Sequence, residues 1–191
     1  MLPIYKNYTS MLISFLRSTI LTISYTRTGD LVFKVLNDSF YIFVYFLKFF
    51  GLALFQFLNE YTCVDYPQKK KRFELILQLT SFQYNNSLRI KSPINELTSV
   101  KSLTSLFKSS NWPEREIFDL YGINFYNHND LRRILTDYGF IGFPFRKDFP
   151  LSGFLSARYN NLIKRVSFEN NNFNQEFRLF YATSSWNNTS L

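Results

Sequence analysis

Residues 39–58, SFYIFVYFLKFFGLALFQFL, run for twenty positions with a single charge, Lys48. A stretch this long and apolar goes into a lipid bilayer or into a protein core. Gly51 divides it, and its flanks carry the punctuation of separate elements. Upstream, Leu31-Val32-Phe33-Lys34-Val35-Leu36 has strand composition, and Asn37-Asp38-Ser39 offers a helix start. The reading is therefore a core: a strand, a buried helix over 40–50, and a second strand over 52–58. Membrane spanning is the alternative.

Further along, the period becomes clearer. Phe73, Leu75, Leu77 and Leu79 alternate with Glu74, Ile76, Gln78 and Thr80, the period of a sheet with one buried face. Asn85-Asn86 predicts a tight turn, after which Leu88 and Ile90 alternate with Arg89 and Lys91. Val100, Leu103, Leu106 and Phe107 recur at three to four residues and predict a helix. At 191 residues, 46% apolar and 19% charged, the chain can bury a core without staples, and wholesale disorder is excluded. The fold class is α+β: a compact domain with a mixed or antiparallel sheet and packed helices over 28–122. Residues 1–27 form an N-terminal extension. Residues 123–191 add a helix, a Gly/Pro/Phe-rich strap and an extended, interface-forming tail, with a short strand pair turning at Asn160-Asn161.

Scarce residues limit the chemistry. One cysteine, Cys63, and one histidine, His128, allow no intrachain disulfide and no cluster or zinc site built on several Cys or His ligands. No G-x-S-x-G, G-x-G-x-x-G or Walker-type loop occurs. The net charge of +8 points to an anionic partner. Abundant Phe, Tyr and Asn with scarce Ala suggest an A/T-rich genome such as an organelle's. The first 27 residues lack acids and are rich in Ser and Thr, as transit peptides are. An ordinary helix with Met11, Leu12, Phe15 and Leu16 on one face is the preferred reading, and an uncleaved start fits synthesis inside the organelle.

The densest charged constellation lies between 111 and 153. Asn111-Trp112-Pro113-Glu114 reads as a helix N-terminus: an Asn cap, an early Pro, and Glu in the capping-box position. Ile117, Leu120 and Tyr121 form its apolar stripe, and Gly122 closes it. Arg115 and Asp119 can pair on its surface, worth roughly 0.3–0.5 kcal/mol. Glu114, Glu116 and Asp119 are read as acids placed for the helix dipole rather than for catalysis. His128 is read as a packing or hydrogen-bonding residue. Asp130 starts a second helix with Leu131, Ile134, Leu135 and Tyr138 on one face and Arg132 and Arg133 beside it. Gly139 ends that helix.

These residues also carry a resemblance. Glu114-Arg115-Glu116-Ile117-Phe118-Asp119-Leu120-Tyr121, six residues, His128, three more, and Arg132-Arg133-Ile134-Leu135 resemble the 30-kDa subunit family of respiratory complex I. Residues 136–153, TDYGFIGFPFRKDFPLSG, continue the match. Val64-Asp65-Tyr66-Pro67, Arg72-Phe73-Glu74, Arg89-Ile90-Lys91 and Gln175-Glu176-Phe177-Arg178 extend it over roughly 28–181. Asn129 stands where the family usually has proline, and Phe143 where histidine is common, which weakens a proton-handling role for that loop. The resemblance implies a core subunit of the peripheral matrix arm at the mitochondrial inner membrane, supporting electron transfer from NADH to ubiquinone coupled to proton translocation. It implies a scaffold with no catalytic residue and no cofactor of its own: NADH, FMN, iron–sulfur clusters and ubiquinone belong to partner subunits. Its partners would be the 49-kDa quinone-site subunit and cluster-bearing neighbours. On that reading residues 140–153 strap onto a neighbour, with Arg146 and Lys147 pairing with partner carboxylates and Asp148 a further signature residue of the interface; a loop folded back on its own domain is the alternative. The rival is an organellar RNA-binding or ribosomal protein. The scattered basic residues outside Lys69-Lys70-Lys71-Arg72 and the absence of an RNP pattern count against it.

Overall fold

The computed structural model describes Ser14 and residues 17–26 and 29–180. The expected helical face of Met11, Leu12, Phe15 and Leu16 lies outside the described residues. Two strands begin the fold, β1 (Ile20–Tyr25) and β2 (Leu31–Val35), followed by helix α1 (Asn37–Phe49). Next come β3 (Phe57–Asp65), β4 (Phe73–Ser81), β5 (Asn86–Ile94) and the short β6 (Val100–Lys101). Helix α2 (Asn111–Tyr121) and β7 (Phe125–Tyr126) precede a last hairpin, β8 (Leu155–Asn160) and β9 (Arg165–Asn170). The chain divides into two compact units, one ending at Phe149 and one beginning at Pro150.

The first unit is built on a five-stranded sheet of order β1-β2-β5-β4-β3. Only β2 and β5 run parallel; the other neighbours are antiparallel. The α+β class with a mixed sheet therefore holds. The alternation read in β4 is the cause of its placement: Phe73, Leu75, Leu77 and Leu79 are fully buried while Ile76 and Gln78 are half-buried on the opposite face. Pro93 is tolerated because it lies beyond Lys91, where the pairing of β5 with β2 ends and one edge is free. Helix α1 presents Phe40, Phe43, Val44 and Leu47 to the buried face. Phe33 meets Phe43 edge-on at 5.6 Å, and Phe40 stacks on Tyr61 at 6.3 Å. Asp38 in its first turn and Lys48 in its last both suit the helix dipole.

The greasy stretch thus supplies Phe40, Phe43, Val44, Leu47, Ala53 and Phe55 to the core, while Ile42, Tyr45, Phe49 and Leu52 stay exposed. Among the described residues no helix is long and apolar enough to cross a membrane. The strand expected over 52–58 starts only at Phe57, because the Phe50 carbonyl accepts N–H donation from both Ala53 (2.8 Å) and Leu54 (3.0 Å). That closes a turn first, with Leu54 at φ 44°. The helix expected over 100–107 is also absent. Val100 pairs in register with Phe125 in a two-residue parallel ladder, and only one helical turn follows, with Phe107 N–H donating to Leu103 O at 2.8 Å. A strand residue and one turn reproduced helical spacing. β1, within the first 27 residues, pairs with β2 through a bulge between Ile20 and Thr22. The hairpin turning after Asn160 is as expected.

Leu77→Ala should lower the free energy of unfolding by about 3 kcal/mol, and Ile76→Ala, on the half-exposed face, by under about 1.5 kcal/mol. Urea denaturation of the two variants measures the difference; equal costs would place the core on the wrong face of the sheet.

Candidate functional site

The signature helix α2 begins one residue after Ser110, which holds the cap position without a side-chain cap bond. Asn111 is therefore inside the helix rather than capping it, and Glu114 makes no capping box. Its carboxylate is fully buried and accepts from the Ser102 hydroxyl (2.6 Å) and the Leu103 N–H (2.7 Å). Burial raises the Glu114 pKa, and these hydrogen bonds partly oppose the rise. Glu114 therefore pins the loop after β6 to the helix. His128, expected to pack or hydrogen-bond, does both. Its side chain is buried, its Nδ1 accepts the Asp130 N–H at 3.1 Å, and its Nε2 lies 3.9 Å from Glu114 Oε2. Accepting at Nδ1 leaves the ring proton on Nε2, facing the carboxylate.

Asp119 was expected on the surface beside Arg115. Instead it is fully buried at the centre of a nest of donors. Oδ2 accepts N–H groups from Ile134 (3.2 Å), Leu135 (2.8 Å) and Thr136 (2.8 Å), and Oδ1 accepts the Thr136 hydroxyl (2.6 Å). Burial alone would push the Asp119 pKa up, but these four bonds outweigh it and hold the carboxyl below its ordinary value. They also explain why the helix expected from Asp130 does not form. Three consecutive N–H groups that a helix would use internally point at Asp119, and Tyr138, meant for its apolar face, is 99% exposed. Arg115 donates instead to Arg132 O at 3.1 Å. Arg133 stands 3.7 Å from Asp119 Oδ1 and donates to Phe140 O at 2.8 Å. Arg132 pairs with Asp130 at the surface, and Glu116 is exposed.

A third buried carboxylate organises the strap. Asp65, at the end of β3, accepts Arg72 through Nε (2.8 Å) and Nη2 (2.9 Å), and also the Lys147 N–H (2.8 Å). The Arg72 pair is the main reason its pKa falls. Arg72 reaches Asp148 at 2.9 Å as well. Arg146 donates to Tyr121 O at 2.7 Å and pairs with Glu96, while Phe145 N–H donates to Leu120 O at 3.1 Å. Gly122 ends α2 at φ 77°, and a Cβ there would lie 2.7 Å from both the Phe143 ring and Arg146 Nη2. The glycine is required by conformation and by space. Up to Phe149 the strap is folded onto its own domain, so Arg146 is not available to a partner carboxylate as expected. Asp148 is paired with Arg72 within the chain although its side chain is 61% exposed, and the Lys147 side chain is exposed as well.

Sequence reasoning missed Asp65, Ser102 and Thr136 as parts of this framework. A lone acid at the buried-face position of β3, after Tyr61 and Cys63, was the available signal. Cys63 itself is buried with its thiol pushed up to about 12, chiefly by burial and then by Asp65. It is neither a nucleophile nor a ready ligand. Among the described residues no three His, Cys, Asp or Glu side chains are placed to hold a metal ion.

Fold and site together define an α+β domain whose buried carboxylates hold chain segments rather than a substrate. The same fold occurs in a chain of an archaeal membrane-bound sulfane sulfur reductase, a respiratory membrane complex, at TM-score 0.65 and 20% identity over 76% of this chain and 85% of that one. Residues 33–155 match the family described as respiratory-chain NADH dehydrogenase, 30 Kd subunit. The chain is 46% identical over 158 residues to NADH-ubiquinone oxidoreductase subunit 9 of Reclinomonas americana, covering 83% of this chain and 78% of the relative. It is 45% identical to NADH dehydrogenase [ubiquinone] iron-sulfur protein 3 of Arabidopsis thaliana, covering 83% of each. The chain belongs to the 30-kDa subunit family of the respiratory-chain NADH dehydrogenase. These matches give no support to the RNA-binding alternative.

Asp119→Asn should cost about 2–4 kcal/mol at pH 7, because an amide cannot accept from all four donors. The folded-state pKa is depressed, so the contribution is present above about pH 4 and is lost as pH falls through the folded value. Urea unfolding at pH 7 and pH 3 should show the gap between wild type and variant shrinking in acid; a gap independent of pH would contradict this role.

Proposed function

We propose that this chain is a core scaffold subunit of the peripheral arm of NADH:ubiquinone oxidoreductase, lying on the matrix side of the mitochondrial inner membrane and encoded in the organelle. It takes no cofactor of its own and grips subunits that carry them, foremost the 49-kDa quinone-site subunit. Electron transfer between fixed centres depends on separations held to fractions of an ångström, so rigid support of the neighbours is the contribution. The hydrogen bonds that Glu114, Asp119 and Asp65 accept from distant chain segments supply that rigidity.

The observation that carries the proposal lies in the second unit. Across 150–180 not one residue is buried. Yet the segment contains Phe154, Tyr159, Leu162, Val166, Phe168 and Phe177, each more than half exposed, with Leu162 at 92%. The two-stranded ribbon has one apolar face (Leu155, Ala157, Tyr159, Val166 and Phe168) and one polar face (Ser156, Arg158, Ser167 and Glu169), and such a ribbon is marginal alone in water. Exposed apolar surface of this extent marks a protein contact, here with the other subunits of the complex. Its outer strand edges can also accept a neighbour's strand.

Removing residues 150–191 should leave residues 1–149 folded, by circular dichroism, but absent from the NADH dehydrogenase band on a native gel. Full incorporation with normal quinone reductase activity would refute the gripping role of this segment.

A further inference from the structure

The sheet of the first unit has a second face, turned away from α1. Its residues form rows across the strands. Lys34 on β2 is in register with Lys91 on β5, then Ile76 on β4 and Thr62 on β3. The next row runs Val32, Arg89, Gln78 and Glu60. At one end of this face a cleft of about 360 Å³ is lined by Lys34, Lys69, Lys71 and Glu74, with Leu21 and Pro93 as apolar wall.

The charges on this face do not balance. Glu74 is shared by Lys69 and Lys91, each at 3.9 Å, and Arg89 leans on the neutral Gln78 at 3.2 Å. Among the described residues neither Lys34 nor Lys71 lies within ion-pair distance of a carboxylate. Five cations therefore face two acids, Glu60 and Glu74.

We propose that this face docks an acidic segment of a partner polypeptide, whose carboxylates pair with Lys34, Lys71 and Lys91. The inference rests on the proposed membership of a multisubunit complex and adds the chemistry of one contact. Three features select a polypeptide over other anions. Adjacent strands space the lysines by about 4.8 Å, and alternate residues along a strand by about 6.7 Å, which matches separate carboxylates on a strand or helix rather than one compact phosphate. Ile76, Pro93 and Leu21 lie among the cations, giving side-chain carbons something to cover. The aromatic residue the strands offer on this face, Phe57 opposite Thr80, lies four residues along β4 from the row of Lys34 and Lys91 and already packs edge-on against Phe82 at 4.2 Å, so it gives no stacking platform beside the lysines.

The test uses the intact complex and a zero-length carbodiimide, which joins a lysine amine to a carboxylate in direct contact. Peptide mapping should find Lys34, Lys71 or Lys91 joined to Asp or Glu of another subunit, with Lys91–Glu74 as the internal control. Lys34→Gln with Lys91→Gln, on the half-exposed face away from the core, should lose those links. Lys34→Glu with Lys91→Glu should reduce the chain found in the assembled complex roughly tenfold or more. If the three lysines in the intact complex are acetylated as fast as after its dissociation, or join only carboxylates of this chain, the inference is overturned. Binding of the chain to phosphatidylglycerol vesicles that is abolished by the Lys→Gln pair, with no cross-link to another subunit, would also overturn it. A chain missing from the complex altogether would refute the functional proposal itself.

Discussion

A buried carboxylate accepting several backbone N–H groups holds this structure's least regular part in place. Residues 123–149 contain only the two-residue ladder of β7, so most of their polar backbone has no sheet or helix to satisfy it. Asp119 takes three consecutive N–H groups from 134–136, and Asp65 takes the one at Lys147. The last carbonyls of α2, at Leu120 and Tyr121, receive Phe145 and Arg146. A helix end that would otherwise need water or a cap is thereby used to seat a loop. Gly122 permits this approach because any side chain there would collide with Phe143. The signature residues are therefore one assembly: helix, turn and strap are fixed by the same few acids.

This arrangement explains why so dense a set of charged residues between 111 and 153 offers so little chemistry. Glu114, Asp119 and Asp65 hold its own segments, and Arg72, Arg133 and Arg146 are bound to its own carbonyls and carboxylates. What remains outward is of two kinds. The second unit is apolar and unburied, and the open sheet face is basic. We propose both as surfaces for other subunits, which suits a family of respiratory-chain subunits.

The sheet was legible because its residues alternate for a physical reason that sequence shares. β4 alternates since one face is buried, and β5 follows it across a short turn at Asn85, which adopts φ 48°. Helix α1 was legible because its greasy run was too interrupted to span a membrane. Helix α2 was legible from Pro113 and Gly122, though its charges were not. An acid at position 119 beside an arginine at 115 looks like a surface pair, and nothing local shows that 134–136 fold back over it. For the same reason Leu131, Ile134, Leu135 and Tyr138 imitated a helical stripe. Their spacing is helical, but their N–H groups have a distant acceptor that outcompetes the helix. Val100, Leu103, Leu106 and Phe107 misled similarly, since a strand end and a single turn together mimic a longer period. Long-range polar contacts, such as Asp65 with Lys147 across eighty-two positions, leave no periodic trace.

Amide hydrogen exchange, compared between the free chain and the assembled complex, tests the division between a self-sufficient framework and a unit completed by partners. Ile134, Leu135, Thr136 and Lys147 should exchange slowly in both states, whereas amides of β8 and β9 should exchange quickly in the free chain and slowly in the complex. Slow exchange of β8 and β9 in the free chain, or fast exchange at 134–136 in either state, would contradict it.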